Sequence, residues 1–181
     1  MNRSTLSVCA LTLAVMAALA PSGAGAQCTA SGNGGSCTVA TSTSMTAGRV
    51  IRMQLSATST TLTAPTPTDF DAGFNSTTGP TVTISANAAW RLYLRSSTAV
   101  WSATTTSPGA PARTNKPAGD LSWSTNVAGS FVQLTTSDAS LAAGTATAST
   151  VNTLHFRTAY AWTLDTPGDY GLTIVLSLTS P

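Results

Sequence analysis

The last thirty residues restrict the fold more than any other stretch. From Leu154 to Leu164 the even positions are Leu154, Phe156, Thr158, Tyr160, Trp162 and Leu164, and the odd ones are His155, Arg157, Ala159, Ala161 and Thr163. After Asp165-Thr166-Pro167-Gly168-Asp169 the alternation resumes with Tyr170, Leu172, Ile174, Leu176 and Leu178. A period of two places one set of side chains on one face of a strand. Pro-Gly between two such runs is turn chemistry, with proline fixing φ at one corner and glycine free to take positive φ at the next. The spacing predicts a C-terminal antiparallel hairpin with one buried face.

The same periodicity recurs upstream. Ile51, Met53, Leu55 and Ala57 alternate with Arg52, Gln54 and Ser56, which predicts a strand over 49–58. Val82 and Ile84 mark another over 81–86, and Trp90, Leu92 and Leu94 alternate with Arg91, Tyr93 and Arg95 in a third. Residues 121–124 and 131–134 read as short strands across Asn126-Val127-Ala128-Gly129. Residues 60–75 contain Pro65 and Pro67, which break regular pairing, and read as a connection with edge pieces. Residues 102–119, with Pro108, Gly109, Pro111 and Pro117, form the longest irregular stretch, and 139–150 read as a crossing loop. Seven to nine short strands separated by turn signals predict an all-β, antiparallel sandwich.

Composition agrees. The chain has no Glu and a single Lys, Lys116, so it lacks residues that populate exposed helical faces. Abundant Thr and Val favour strands. Arg3, the apolar run 6–20 and Ala24-Gly25-Ala26 read as a secretory signal over 1–26, too short in its apolar part for a spanning helix. Residues 27–181 are then expected as one exported domain without a membrane span. Cys9 leaves with the signal, and Cys28 and Cys37 remain to pair in an oxidising compartment. Eight Lys+Arg against six Asp is nearly neutral, which argues against nucleic acid as a partner.

Catalysis needs convergent titratable groups, and few are available. His155 is the only histidine and no nucleophile elbow surrounds any serine, so no catalytic residue, metal or cofactor is expected. Asp69 and Asp71 form the best carboxylate pair, suited to an Asp-rich turn or to Ca²⁺ with Asn75 nearby. Asn75-Ser76-Thr77 is a glycosylation sequon. Arg52, Arg91, Arg95, His155 and Arg157 fall on polar strand faces; neighbouring strands would make of them a basic stripe around Tyr93 for an anionic wall polymer or glycan. Trp90 and Trp162 occupy inward strand positions. Trp101 and Trp123 border the Pro-rich loop; satellite core is the first reading for both, and of the four tryptophans they are the better candidates for an exposed aromatic sugar platform.

Two Trp-x-Leu tripeptides, Trp90-Arg91-Leu92 and Trp162-Thr163-Leu164, the second preceded by Tyr160 and followed by Pro167, resemble the pattern of bacterial WxL-type surface domains. That resemblance implies an exported, Thr- and Ala-rich β domain held noncovalently to the cell wall, with Trp90, Leu92, Trp162 and Leu164 as signature positions. The chain departs from the pattern by continuing as a full strand after the second motif. Gly168-Asp169-Tyr170 with the terminal alternating strand is also similar to pilin-like and spore-coat-like secreted sandwiches, which assemble by strand exchange through an open edge. The expected function is that of a non-catalytic surface protein, structural or adhesive. Its partner would be cell-wall polymer, a surface glycan or other surface proteins. The alternatives are a carbohydrate-binding module and a fimbrial subunit.

Overall fold

A computed structural model describes residues 28–181. The expected signal segment 1–26, with Cys9, lies outside the described residues. The chain divides into two units, one reaching Thr46 and one running from Ala47 to Pro181. In the first, residues 28–46 are exposed and carry no strand or helix, only a turn at Asn33-Gly34. Cys28 and Cys37 flank that turn and are disulfide-bonded, with Cα atoms 5.6 Å apart.

The second unit is an all-β sandwich. Its larger sheet holds β1 (Ile51–Leu55), β2 (Phe74–Ala86), β8 (Thr147–Ala159), β5 (Leu121–Ser124) and β6 (Val132–Gln133), in that spatial order. The second sheet holds β10 (Ile174–Thr179), β3 (Trp90–Ser96) and β7 (Ala139–Gly144). A two-stranded piece pairs β4 (Ser102–Thr104) with β9 (Asp169–Gly171). All pairings are antiparallel.

Alternation decides which residues fill the space between the sheets. Val82 and Ile84 of β2, Leu92 and Leu94 of β3, and Leu154 and Phe156 of β8 are buried at every second position. Each such side chain contributes roughly 1.5–3 kcal/mol on leaving water. Trp90 joins them and packs its indole on Gly144, where an added Cβ would stand 2.7 Å from the ring. Its Nε1 donates to the Thr145 carbonyl at 2.9 Å, so the buried donor is satisfied. In β2, Gly79-Pro80 falls where the register to β8 shifts between Thr78 and Thr81. A proline inside a paired strand is tolerated at such a bulge because no ladder donor is needed there.

The C-terminal region keeps its strands but changes their partners. The expected hairpin would pair the run 154–164 with the run 170–178. Instead β8 lies in the larger sheet between β2 and β5, and β10 lies in the second sheet beside β3. β8 also stops at Ala159. The chain then turns, with the Leu164 and Asp165 amides donating to the Ala161 carbonyl at 3.1 and 3.0 Å. The Asp165 carboxylate accepts from the Ala161 amide at 2.8 Å and closes the turn. Gly168 does not use positive φ; it is needed for closeness, since a Cβ there would meet the Ala112 Cβ at 2.7 Å and the Thr104 carbonyl at 2.9 Å.

Two stretches read as irregular are structured. Residues 139–150 supply β7 and the start of β8 rather than a crossing loop. Pro67–Ala72 is a short helix, α1, because Thr66 and Asp69 form a reciprocal capping box and Gly73 ends it at φ 80°.

Candidate functional site

Beneath the inner face of the larger sheet lies a cleft of about 1110 Å³. Leu154 and Phe156 of β8 form one wall and Leu172, Ile174 and Leu176 the opposite one. Leu55 and the connection 57–65 border it, and Trp162 stands among its lining residues. Small-molecule sites typically occupy ~300–1,000 Å³, so the space exceeds what one compact ligand fills. β10 is the edge strand of its sheet and pairs only with β3 among the described strands. Its inward residues Ile174, Leu176 and Leu178 are only half-buried, in contrast to their neighbours Leu92 and Leu94 on β3. The inner face along β10 is therefore only partly covered.

A cluster of ionised side chains occupies the polar end of this cleft. Lys116, the one lysine of the chain, is buried. Its Nζ donates to Asp165 Oδ1 at 2.7 Å, to the Ala159 carbonyl at 2.9 Å and to Asp120 Oδ2 at 3.2 Å. Arg113 Nη1 reaches the same two carboxylates at 3.1 and 3.2 Å. The Tyr160 ring lies 5.2 Å from Nζ. Burial alone pushes the Asp165 carboxyl up, but hydrogen bonds from Lys116, the Ala161 amide and Arg113 outweigh it and hold the group below the usual carboxylate range. Burial likewise pushes the Tyr160 hydroxyl up, and there it prevails, leaving the group above its ordinary value. The Pro-rich stretch 102–119 thus ends in two cations that tie it to the turn after β8.

Trp101 and Trp123 follow the satellite-core reading and offer no exposed platform: each is only 5% exposed and belongs to the core. Trp101 donates to the Pro117 carbonyl at 3.0 Å, which draws the Pro-rich loop inward. Trp162, expected in the core, is 60% exposed and Leu164 54%, because the turn after Ala159 takes both off the strand. Trp162 stacks on Phe70 with ring centroids 4.6 Å apart and donates to Asp71 Oδ1 at 3.0 Å. Of the two Trp-x-Leu tripeptides, only Trp90 and Leu92 are buried.

The basic stripe is divided between sheets. Arg91, Tyr93 and Arg95 alternate along β3, whereas Arg52, His155 and Arg157 belong to β1 and β8 of the larger sheet. Arg95 pairs with Asp138 at 3.4 Å. Arg157 lies between the rings of Phe74 and Phe131, at 4.3 and 4.2 Å, a cation–π arrangement that uses the guanidinium locally. Arg91, Tyr93 and Arg95 remain together as a three-residue patch, with Arg91 the exposed member.

Asp69 and Asp71 do not converge on an ion. Asp69 Oδ2 accepts from the Thr66 amide and hydroxyl at 2.7 Å each and from Asn75 at 3.2 Å. These hydrogen bonds from Thr66 and Asn75 leave its carboxyl below the ordinary value. Among the described residues no group of three His, Cys or Asp side chains is placed to hold a metal. No protein-family model matches this chain, and no curated protein matches it in sequence.

Proposed function

We propose that this protein is a secreted, non-catalytic structural subunit of the bacterial cell surface that assembles by accepting an extended strand into its open cleft. The observation that carries this reading is an apolar cleft lined in part by Ile174 and Leu176 of β10, a strand paired on one side only among the described strands. An edge strand presents a row of free backbone donors and acceptors, and strand addition supplies both hydrogen bonds and side chains for alternate pockets. A wall-associated role of the WxL type is compatible with this reading and concerns the outer surfaces rather than the cleft.

The occupant that fits is the N-terminal segment of a second copy. Residues 28–48 contain no charged side chain. Val39, Thr41, Thr43 and Met45 alternate with Ala40, Ser42 and Ser44, the pattern of a strand with one apolar side. Yet the segment forms no strand, and Val39 and Met45 are 50% and 90% exposed. β10 has six residues, about 20 Å at ~3.3 Å per residue, and 39–45 is of similar length. Burying Val39 and Met45 would contribute ~1.5–3 kcal/mol each.

The test is sedimentation and electron microscopy of the exported chain over a range of concentrations, with the double variant Val39→Arg/Met45→Arg alongside. Wild type is expected to form polymers. The variant is expected to remain monomeric with an unchanged thermal midpoint, because both side chains are exposed in the monomer. A wild-type chain that stays monomeric at high concentration, with export machinery present, removes this reading.

Carbohydrate binding is a second reading, favoured by the exposed Trp162–Phe70 stack rather than by Trp101 and Trp123. A glycan array that gives no signal, or the same signal for Trp162→Ala, removes it.

A further inference from the structure

We propose that Lys116 and Asp165 condense to an intramolecular amide bond. Lys116 is a primary amine buried against the carboxylate it would join, 2.7 Å from Oδ1. Proximity of this kind substitutes for activation, since fixed geometry raises effective molarity by up to ~10⁵–10⁸ M. Side-chain exposures of 3% and 7% limit the water that reaches the pair and would favour hydrolysis.

The surrounding groups supply what the step needs. The ammonium passes one proton along the 2.7 Å hydrogen bond to Oδ1, so that a neutral amine faces a neutral carboxylic acid. Nζ bonds to Cγ of Asp165, and the negative charge that gathers on Oδ2 is held by the Ala161 amide. Asp120 Oδ2, 3.2 Å from Nζ, takes one of the two protons left on nitrogen and hands it to the Oδ1 hydroxyl. The Cγ–Oδ1 bond breaks, Oδ1 leaves as water through the cleft that both residues line, and the amide keeps one hydrogen on nitrogen and Oδ2 as its carbonyl. An ammonium and a carboxylate thus yield one amide and one water, and no oxidant or co-reactant enters. Arg113 and Asp120 are left as a neutral pair at 3.2 Å, so the product strands no buried charge. This accounts for a cluster of two cations and two anions: one pair reacts and the other remains.

The bond would close the chain across 49 positions, from the Pro-rich loop to the turn after β8. Force applied to the ends of an assembly would then bypass β5 to β8. The cross-link is independent of strand exchange and is read on the monomer.

The experiment is an intact-mass measurement of the exported, denatured and reduced chain, followed by fragmentation. The expected mass is one water below that of the sequence from its observed N-terminus, with a branched peptide joining Lys116 to Asp165. Lys116→Arg, which keeps the charge without the amine, and Asp120→Asn, which removes the proton acceptor, are both expected at full mass. A wild-type chain at full mass overturns the proposal without reliance on any variant. So does a water loss found on a linear peptide at Asp165. Retention of the water loss in Asp120→Asn overturns the role given to Asp120.

Discussion

Asp69 shows how a single side chain decides between ligand chemistry and local structure. Its carboxylate accepts from Thr66 and Asn75 and so fixes the start of α1. The folded pKa lies below the ordinary value of ~3.9. A group depressed in the folded state contributes stability that is complete above its unfolded pKa and is lost as pH falls through the folded one. The Thr66 amide shift followed by NMR is therefore expected to be flat above about pH 4 and to move below it, and to lose that titration in Asp69→Asn. Gly168 is fixed by a different constraint, the contact with Ala112 and Thr104. Gly168→Ala is expected to cost ~1–3 kcal/mol in denaturant unfolding, the usual range for overpacking. A midpoint unchanged from wild type contradicts that account.

At the level of elements, legibility followed burial of one face. The strand predicted at 121–124 is β5, and those predicted around Ile51, Val82 and Trp90 are β1, β2 and β3, because one row of each meets the core. β7 was unreadable since Ala139, Ala142, Ala143 and Gly144 carry little side-chain contrast between faces. The end of β8 is hidden for the opposite reason. Tyr160, Trp162 and Leu164 continue the alternation, but the turn built by Asp165 wins. α1 is hidden in the sequence because Pro65 and Pro67 signal only an interruption of strand pairing, although Thr66-Pro67-Thr68-Asp69 is a recognisable helix start. The disulfide also belongs to this scale. It spans a separation of 9 residues wholly within the unit ending at Thr46. Its loop-closure contribution, ~2–3 kcal/mol by the chain-entropy estimate, then acts on that unit. Reduction is expected to leave the calorimetric midpoint of the sandwich unit unchanged, and a drop of several degrees would show that the two units unfold together.

For the whole molecule, the proposed strand exchange at β10 would make each chain both donor and acceptor. A donor-dead chain, Val39→Arg/Met45→Arg, still has its cleft and is expected to cap growing ends. Adding it in small proportion to wild type should shorten polymers in electron micrographs as its fraction rises. Polymer length independent of that fraction would separate assembly from the cleft. The ion cluster around Lys116 acts at this scale too, since it fastens the Pro-rich loop to the turn preceding β9, far apart in sequence.

What the sequence determined by itself is the all-β class, most strand positions and the pairing of Cys28 with Cys37, because each follows from periodicity or from local cysteine arithmetic. The tertiary structure alone decided which strands are neighbours. That choice put β8 and β10 in different sheets, split Arg91 and Arg95 from Arg157, and buried Trp101 and Trp123 while exposing Trp162. It also brought Lys116 against Asp165. Alternation tells which face of a strand is apolar, but the partner is chosen by packing across long loops, and one-dimensional patterning holds no record of that choice.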